Sequence, residues 1–118
     1  MSSSKEALQI YERWLPQYRK GLLELIILLR LQQKMMYGYE LASEIKTITS
    51  IDIAEGTLYP LLNRLKRDGL VTPEWQTMET GTPRKYYQIT TLGRESLQLM
   101  KKEWSQSQSS IMQMVMQS

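Results

Sequence analysis

The sequence predicts a mainly α-helical domain that carries a small β-hairpin, an α+β fold. Three observations carry that expectation. Apolar residues recur at helical spacing from Leu8 to about residue 68. The pattern turns extended between residues 70 and 90. Helical spacing then returns and runs to the end.

Taken in order, Leu8, Tyr11 and Leu15 recur at three and four residues, with Trp14 beside them, and predict a short amphipathic helix over 5–15. Pro16 makes Leu15 its expected end. Apolar residues then surround almost the whole cylinder over 18–33, the pattern of a buried central helix. Residues 34–38 read as a break. A third helix is predicted over 39–48, with Leu41, Ala42, Ile45 and Ile48 on its inner face. Asp52 followed by Glu55 is a capping-box pattern, opening a fourth helix over 53–68. Leu58, Leu61, Leu62 and Leu65 face inward there, and Gly69 supplies a left-handed cap.

Residues 70–75 and 84–90 read as two strands around a polar loop containing Gly81 and Pro83. Thr90 or Thr91 caps the last helix. Its heptad rows, Leu97, Trp104, Ile111 and then Met100, Ser107, Met114, form an apolar seam that calls for a partner helix. The expected division is an extension helix at 1–17, a body at 18–90 and a dimerisation helix at 91–118.

Composition narrows the function. The chain has 118 residues, enough for one domain with a modest core. It has no Cys and no His, which excludes disulfides, His- or Cys-ligated zinc sites and thiol or imidazole catalysis. No nucleophile–base pair or phosphate-binding glycine loop is suggested, so an enzyme and a bound cofactor or metal are not expected. The polar start carries no signal-peptide pattern, and no apolar run reaches the ~20 residues of a membrane span. A cytoplasmic protein is the expectation. Fifteen Lys and Arg against 12 Asp and Glu give a net charge of +3. That balance permits nucleic-acid binding without arguing for it, so the placement of charge decides.

Three helices followed at once by a hairpin is the winged helix-turn-helix order. In that architecture the second helix of the pair lies in the major groove and the hairpin tip touches the neighbouring backbone. Setting aside its inward Leu residues, the helix at 53–68 presents Ala54, Thr57, Tyr59, Asn63, Arg64, Lys66 and Arg67. Thr57 stands in the first turn, within reach of a base or phosphate. Asn63 can pair with adenine, and is equally a residue that solvent accommodates. Tyr59 can donate to a phosphate or pack. Arg64, Lys66 and Arg67 suit phosphates, as do Arg84 and Lys85 at the wing. Arg19, Lys20, Tyr37 and Tyr39 approach the backbone from neighbouring helices. Tyr86 and Tyr87 alternate, so one belongs to the core.

The run Gly56-Thr57-Leu58-Tyr59-Pro60-Leu61-Leu62-Asn63-Arg64-Leu65, then Asp68-Gly69-Leu70, resembles the recognition-helix signature of the PadR family. Pro83-Arg84-Lys85-Tyr86-Tyr87, with Ile89-Thr90 and Gly93, resembles that family's wing and the start of its last helix. Gly21-Leu22-Leu23-Glu24-Leu25 and Tyr37-Gly38-Tyr39-Glu40-Leu41 resemble its earlier helices. The resemblance spans about residues 19–95, and the short last helix is similar to the compact subgroup. Tyr37 stands where many members have His, and the helix at 5–15 extends the common core.

The resemblance implies a homodimeric repressor of an inverted-repeat operator, released from double-stranded DNA by a small molecule. The alternative is a winged-helix module that binds protein instead. Pro60 inside a helix would crowd the carbonyl of Gly56, a pairing read as a kink that sets how the helix enters the groove. Leu8, Tyr11, Leu97, Met100, Trp104, Ile111 and Met114 are the expected dimer contacts. Trp104 and Met100 are candidates for a planar aromatic effector, against the plainer reading of interface packing.

Overall fold

The computed structural model describes residues 2–118, with side chains described from Ser4 onward. Along the chain lie α1 (Ser2–Gln33), β1 (Met36–Tyr37), α2 (Gly38–Thr49), α3 (Glu55–Arg67), β2 (Val71–Thr77), β3 (Pro83–Ile89) and α4 (Thr91–Met116).

Two expected helices are one. α1 runs unbroken through Pro16, so the boundary expected at residue 17 falls inside a helix. Pro16 is exposed, where water can take the carbonyl its ring leaves unbonded. The break at 34–38 also contains a strand. β1 pairs antiparallel with β3, Met36 opposite Tyr87 and Tyr37 opposite Tyr86, so the hairpin belongs to a three-stranded sheet in the order β1-β3-β2. β2 pairs with β3 from Val71–Ile89 to Thr77–Pro83. This places Pro73 on an edge strand, where a residue without an N–H is tolerated.

The capping box does not form. α3 starts at Glu55 behind Ala54, which makes no side-chain cap, and Asp52 instead lies 3.6 Å from the Lys46 ammonium. The far end follows expectation. Gly69 takes φ +78°, its N–H donates to the Lys66 carbonyl, and Leu70 N–H donates to the Leu65 carbonyl, a Schellman closure. α4 begins with Thr90, whose hydroxyl oxygen accepts from Gly93 N–H at 3.0 Å and whose O–H donates to the Gly69 carbonyl at 2.6 Å. One residue thus caps α4 and ties it to the end of α3. Gly93 must be small there. A Cβ would run into the Leu70 carbonyl oxygen and stand 2.7 Å from Ile89 Cγ1.

The core gathers Ile27, Leu28 and Leu31 of α1, Leu41 and Ile45 of α2, Leu58, Leu62 and Leu65 of α3, Met36, Val71, Tyr87 and Ile89 of the sheet, and Leu97 of α4. Among the described residues no polar or charged residue is buried with it. Ile48, expected inward, is exposed because α2 ends one residue later and nothing covers that turn.

The radius of gyration is 17.3 Å, against about 13.5 Å for a compact domain of this length. The excess comes from the free ends of α1 and α4, which leave the packed body as arms. Among the described residues no helix is long and apolar enough to cross a membrane.

Candidate nucleic-acid interface

α3 buries Leu58, Leu62 and Leu65 and leaves Thr57, Tyr59, Asn63, Lys66 and Arg67 exposed, with Ala54 exposed just before it. The small and hydroxyl residues lie toward its N-terminal half and the cations toward its C-terminal end. Pro60 lies within the helix, and the space a side chain would occupy at Gly56 is open.

Tyr59 is only partly outward. Its ring lies against the start of α2, where a Cβ on Gly38 would stand 2.8 Å from the ring's Cε1 and Cζ. Gly38 leaves room for this ring, and a side chain there would have to displace it. Burial, then the Glu55 carboxylate and Tyr87, pushes the Tyr59 hydroxyl above its ordinary pKa.

Arg64 is not a free phosphate ligand. Its guanidinium is paired with Glu24 of α1, with Nε 3.1 Å from Oε1 and Nη2 closer still. This accounts for the lone carboxylate in the apolar run of α1, which sequence reasoning passed over. The signal was there: an acidic residue amid apolar neighbours needs a partner. Lys66 and Arg67 take no part in an ion pair among the described residues.

In the wing, Met78 and Gly81 close the tip, with Gly81 N–H donating to the Met78 carbonyl at φ +84°. Arg84 folds its guanidinium over the Tyr37 ring, 4.5 Å from the centroid, and Tyr86 meets that ring edge-on at 5.4 Å. Residues two apart on a strand share a face, so Arg84, Tyr86 and the cross-strand Tyr37 form one stack. Lys85 leaves from the opposite face, its ammonium 5.6 Å from the Tyr87 ring. The two wing cations are therefore not side by side. Tyr87 is the member of the Tyr pair that enters the core, and burial raises its hydroxyl pKa. Trp75 on β2 is exposed at 65%, a large wing aromatic that sequence reasoning did not single out.

Of the remaining candidates, Tyr39 is exposed on the first turn of α2 and Lys20 is exposed on α1. Arg19 lies elsewhere, lining a groove of about 610 Å³ between α1 and α4. The walls of that groove are chiefly Leu15, Leu22, Leu25, Ile26 and Leu29, with Trp104 and Lys101 from α4.

The expected dimer contacts divide. Leu8, Tyr11, Trp104, Ile111 and Met114 are exposed on the arms. Leu97 is not available to a partner, because it is fully enclosed by its own subunit. Met100 is half-buried, packs against the same core and is not part of the groove wall. The heptad row thus changes role along its length. Its first position serves the body and its later ones face outward.

Comparison with known proteins agrees with this architecture. Residues 27–99 match the family described as transcriptional regulator PadR-like. An uncharacterised protein of Lysinibacillus sphaericus is 38% identical over 89 residues, 74% of this chain and 82% of that protein. A PadR-like transcriptional regulator from Bacillus cereus superposes with a TM-score of 0.78 at 33% identity, covering 84% of this chain and 96% of that one. A PadR family transcriptional regulator from Eggerthella lenta reaches 0.82 at 29% identity, covering 94% and 96%.

Proposed function

Because this chain belongs to the PadR-like family of transcriptional regulators, which are not enzymes, we propose that it is a repressor that binds an inverted-repeat operator as a homodimer and leaves it when a small molecule binds. The observation that carries the reading is the pairing of two surfaces. On the body, the exposed face of α3 combines Thr57 and Asn63 with Lys66 and Arg67, beside a wing whose Arg84 is held on Tyr37. On the arms, Tyr11, Trp14, Ile111 and Met114 stand in solvent. Contiguous apolar faces of this kind mark association sites. A two-fold dimer made through the arms carries two copies of α3, and two copies read a palindrome.

In this reading Thr57 and Asn63 meet base edges while Lys66, Arg67 and Arg84 meet phosphates. Arg64, occupied by Glu24, contributes less than its charge suggests. Tyr39 and Lys20 contact the flanking backbone. The division into body and dimerisation helix is retained, with the dimer contacts moved to Leu8, Tyr11, Trp104, Ile111 and Met114.

Selection of bound duplexes from a random pool tests this directly. The expected product is a sequence with two inverted half-sites about 10 base pairs apart, centre to centre, or a multiple of that. Recovery of single, unpaired sites would remove the dimeric reading. Absence of any salt-dependent binding would favour a module that binds protein.

A further inference from the structure

The two faces of the wing differ in chemistry. Residues opposite one another in an antiparallel register share a face, and the face alternates along each strand. Val71, Tyr87 and Ile89 are buried against the body, so theirs is the inner face. Continued toward the tip, that face carries Pro73 opposite Tyr87, Trp75 opposite Lys85 and Thr77 opposite Pro83. None of these is acidic. Glu74 stands on the outer face, opposite Tyr86.

Trp75 is the large side chain of this face that the subunit leaves in solvent. Its cross-strand neighbour Lys85 is half-buried, holds its ammonium 5.6 Å from the Tyr87 ring and takes no part in an ion pair among the described residues. Tyr87 in turn neighbours Tyr59 of α3, close enough to help raise its hydroxyl pKa. Tyr59 and Lys66 are both exposed, and a spacing of about two helical turns puts them on one flank of α3. The inner face of the wing therefore continues the flank of α3 through Tyr59, Tyr87, Lys85 and Trp75. A DNA strand alternates anionic phosphates with the apolar faces of its sugars, and protein contacts to both position a protein on the duplex. An exposed ring beside an unpaired cation, on a face without a carboxylate, complements that alternation.

We propose that Trp75 packs its ring on a deoxyribose of the DNA backbone beside α3, while Lys85 meets the adjoining phosphate. The proposal rests on the reading that this chain binds DNA, and it adds a contact that carries no charge. Arg84 lies on the outer face, so this contact is additional to any that Arg84 makes.

Affinity of the full chain for a fluorescently labelled mixed-sequence duplex, measured by anisotropy across salt concentrations, tests it. Trp75→Ala is expected to weaken binding by about tenfold and to leave the salt slope unchanged, because a sugar contact releases no counterion. Trp75→Phe keeps a ring and should recover part of the loss. Lys85→Gln should weaken binding and reduce the slope by about one. Gln76→Ala, the next residue on the strand but on the outer face, should change neither. Thermal unfolding is read alongside, and Trp75→Ala should leave the midpoint unchanged because the ring is exposed. Wild-type affinity in Trp75→Ala, a loss that comes with a changed slope or a lowered midpoint, or no recovery in Trp75→Phe would overturn the proposal. So would unaltered duplex binding with altered sedimentation, which would give this face to a protein partner. Those outcomes leave the DNA reading standing, whereas a wild-type chain that binds no duplex at low salt removes both.

Discussion

The body of the molecule and its arms are built from the same kind of sequence and end in opposite states. In the body, apolar residues at helical spacing find partners within the chain, and Leu58, Leu62 and Leu65 of α3 are essentially inaccessible. In the arms, equally regular apolar residues find none. Leu8, Tyr11 and Trp14 on α1 and Ile111 and Met114 on α4 are half or more exposed, and Trp104 nearly so. Trp14 and Tyr18 stack on each other at 5.0 Å, but nothing in the chain covers them. Periodicity therefore tells which residues must be buried, and not whether their own subunit will bury them.

The sharpest way to break that comparison is to mutate one heptad row at both ends. Leu97→Ala should cost about 2–5 kcal/mol, as for any enclosed Leu. Ile111→Ala should change the stability of the isolated subunit by no more than about 0.5 kcal/mol while weakening self-association. Urea unfolding at several protein concentrations, with sedimentation alongside, separates the two. Similar, concentration-dependent losses at both positions would place Leu97 at the interface after all.

A smaller effect is expected where the body holds α3. Gly38→Ala puts a methyl group into the Tyr59 ring, and should destabilise by about 1–3 kcal/mol, the usual range for overpacking. Adding Tyr59→Ala should recover part of that loss, since the collision is with that ring. If the double variant is no more stable than the single one, the contact between α2 and α3 is not what Gly38 serves.

The wing gives a subtler comparison, between touching DNA and positioning Arg84, a residue proposed to touch it. Tyr37→Phe keeps the ring beneath Arg84 and should leave affinity and its salt dependence unchanged. Tyr37→Ala removes the platform and should weaken binding by about 0.5–1 kcal/mol, the scale of an exposed cation–π contact. A loss in the Phe variant as large as in the Ala variant would mean that the hydroxyl itself contacts DNA. Measured duplex affinity across salt concentrations decides.

The smallest expected effect is absent at neutral pH. Burial raises the Tyr87 hydroxyl pKa above its ordinary 10.0. The folded state thus favours the neutral phenol. The corresponding stability is fully present below pH 10 and is lost as pH climbs from there through the folded value. Alkaline unfolding should be less steep with pH in Tyr87→Phe. Unchanged steepness would assign the alkaline transition to other groups, the raised Tyr59 first.

Much of the body was legible in the sequence because its signals are local. The Gly69 closure, the Thr90 cap and the entry of one of Tyr86 and Tyr87 into the core follow from residue type and spacing alone. Several of the errors sit where a contact outside the local pattern overrode a local rule. Asp52 looked like a cap and went to Lys46. Pro16 looked like a stop, yet an exposed proline does not end a long helix when both flanks favour it. Met36 and Tyr37 looked like a break, since two residues make a strand only when β3 is already beside them. Arg64 looked free because Glu24 lies forty residues away.

Sequence alone determined the helix–helix–hairpin–helix order from residue 39 onward, the inward face of α3 and the residues on its exposed surface. These depend on periodicity and turn chemistry, which neighbours a few residues apart enforce. Tertiary structure decided which charges are spent within the chain and which remain for a partner. It decided that Arg84 rests on Tyr37, that Leu97 belongs to its own core, and that Arg19 and Lys101 share a groove. Those outcomes are set by distances between segments far apart in the chain, and such distances exist only after α1 and α4 have packed.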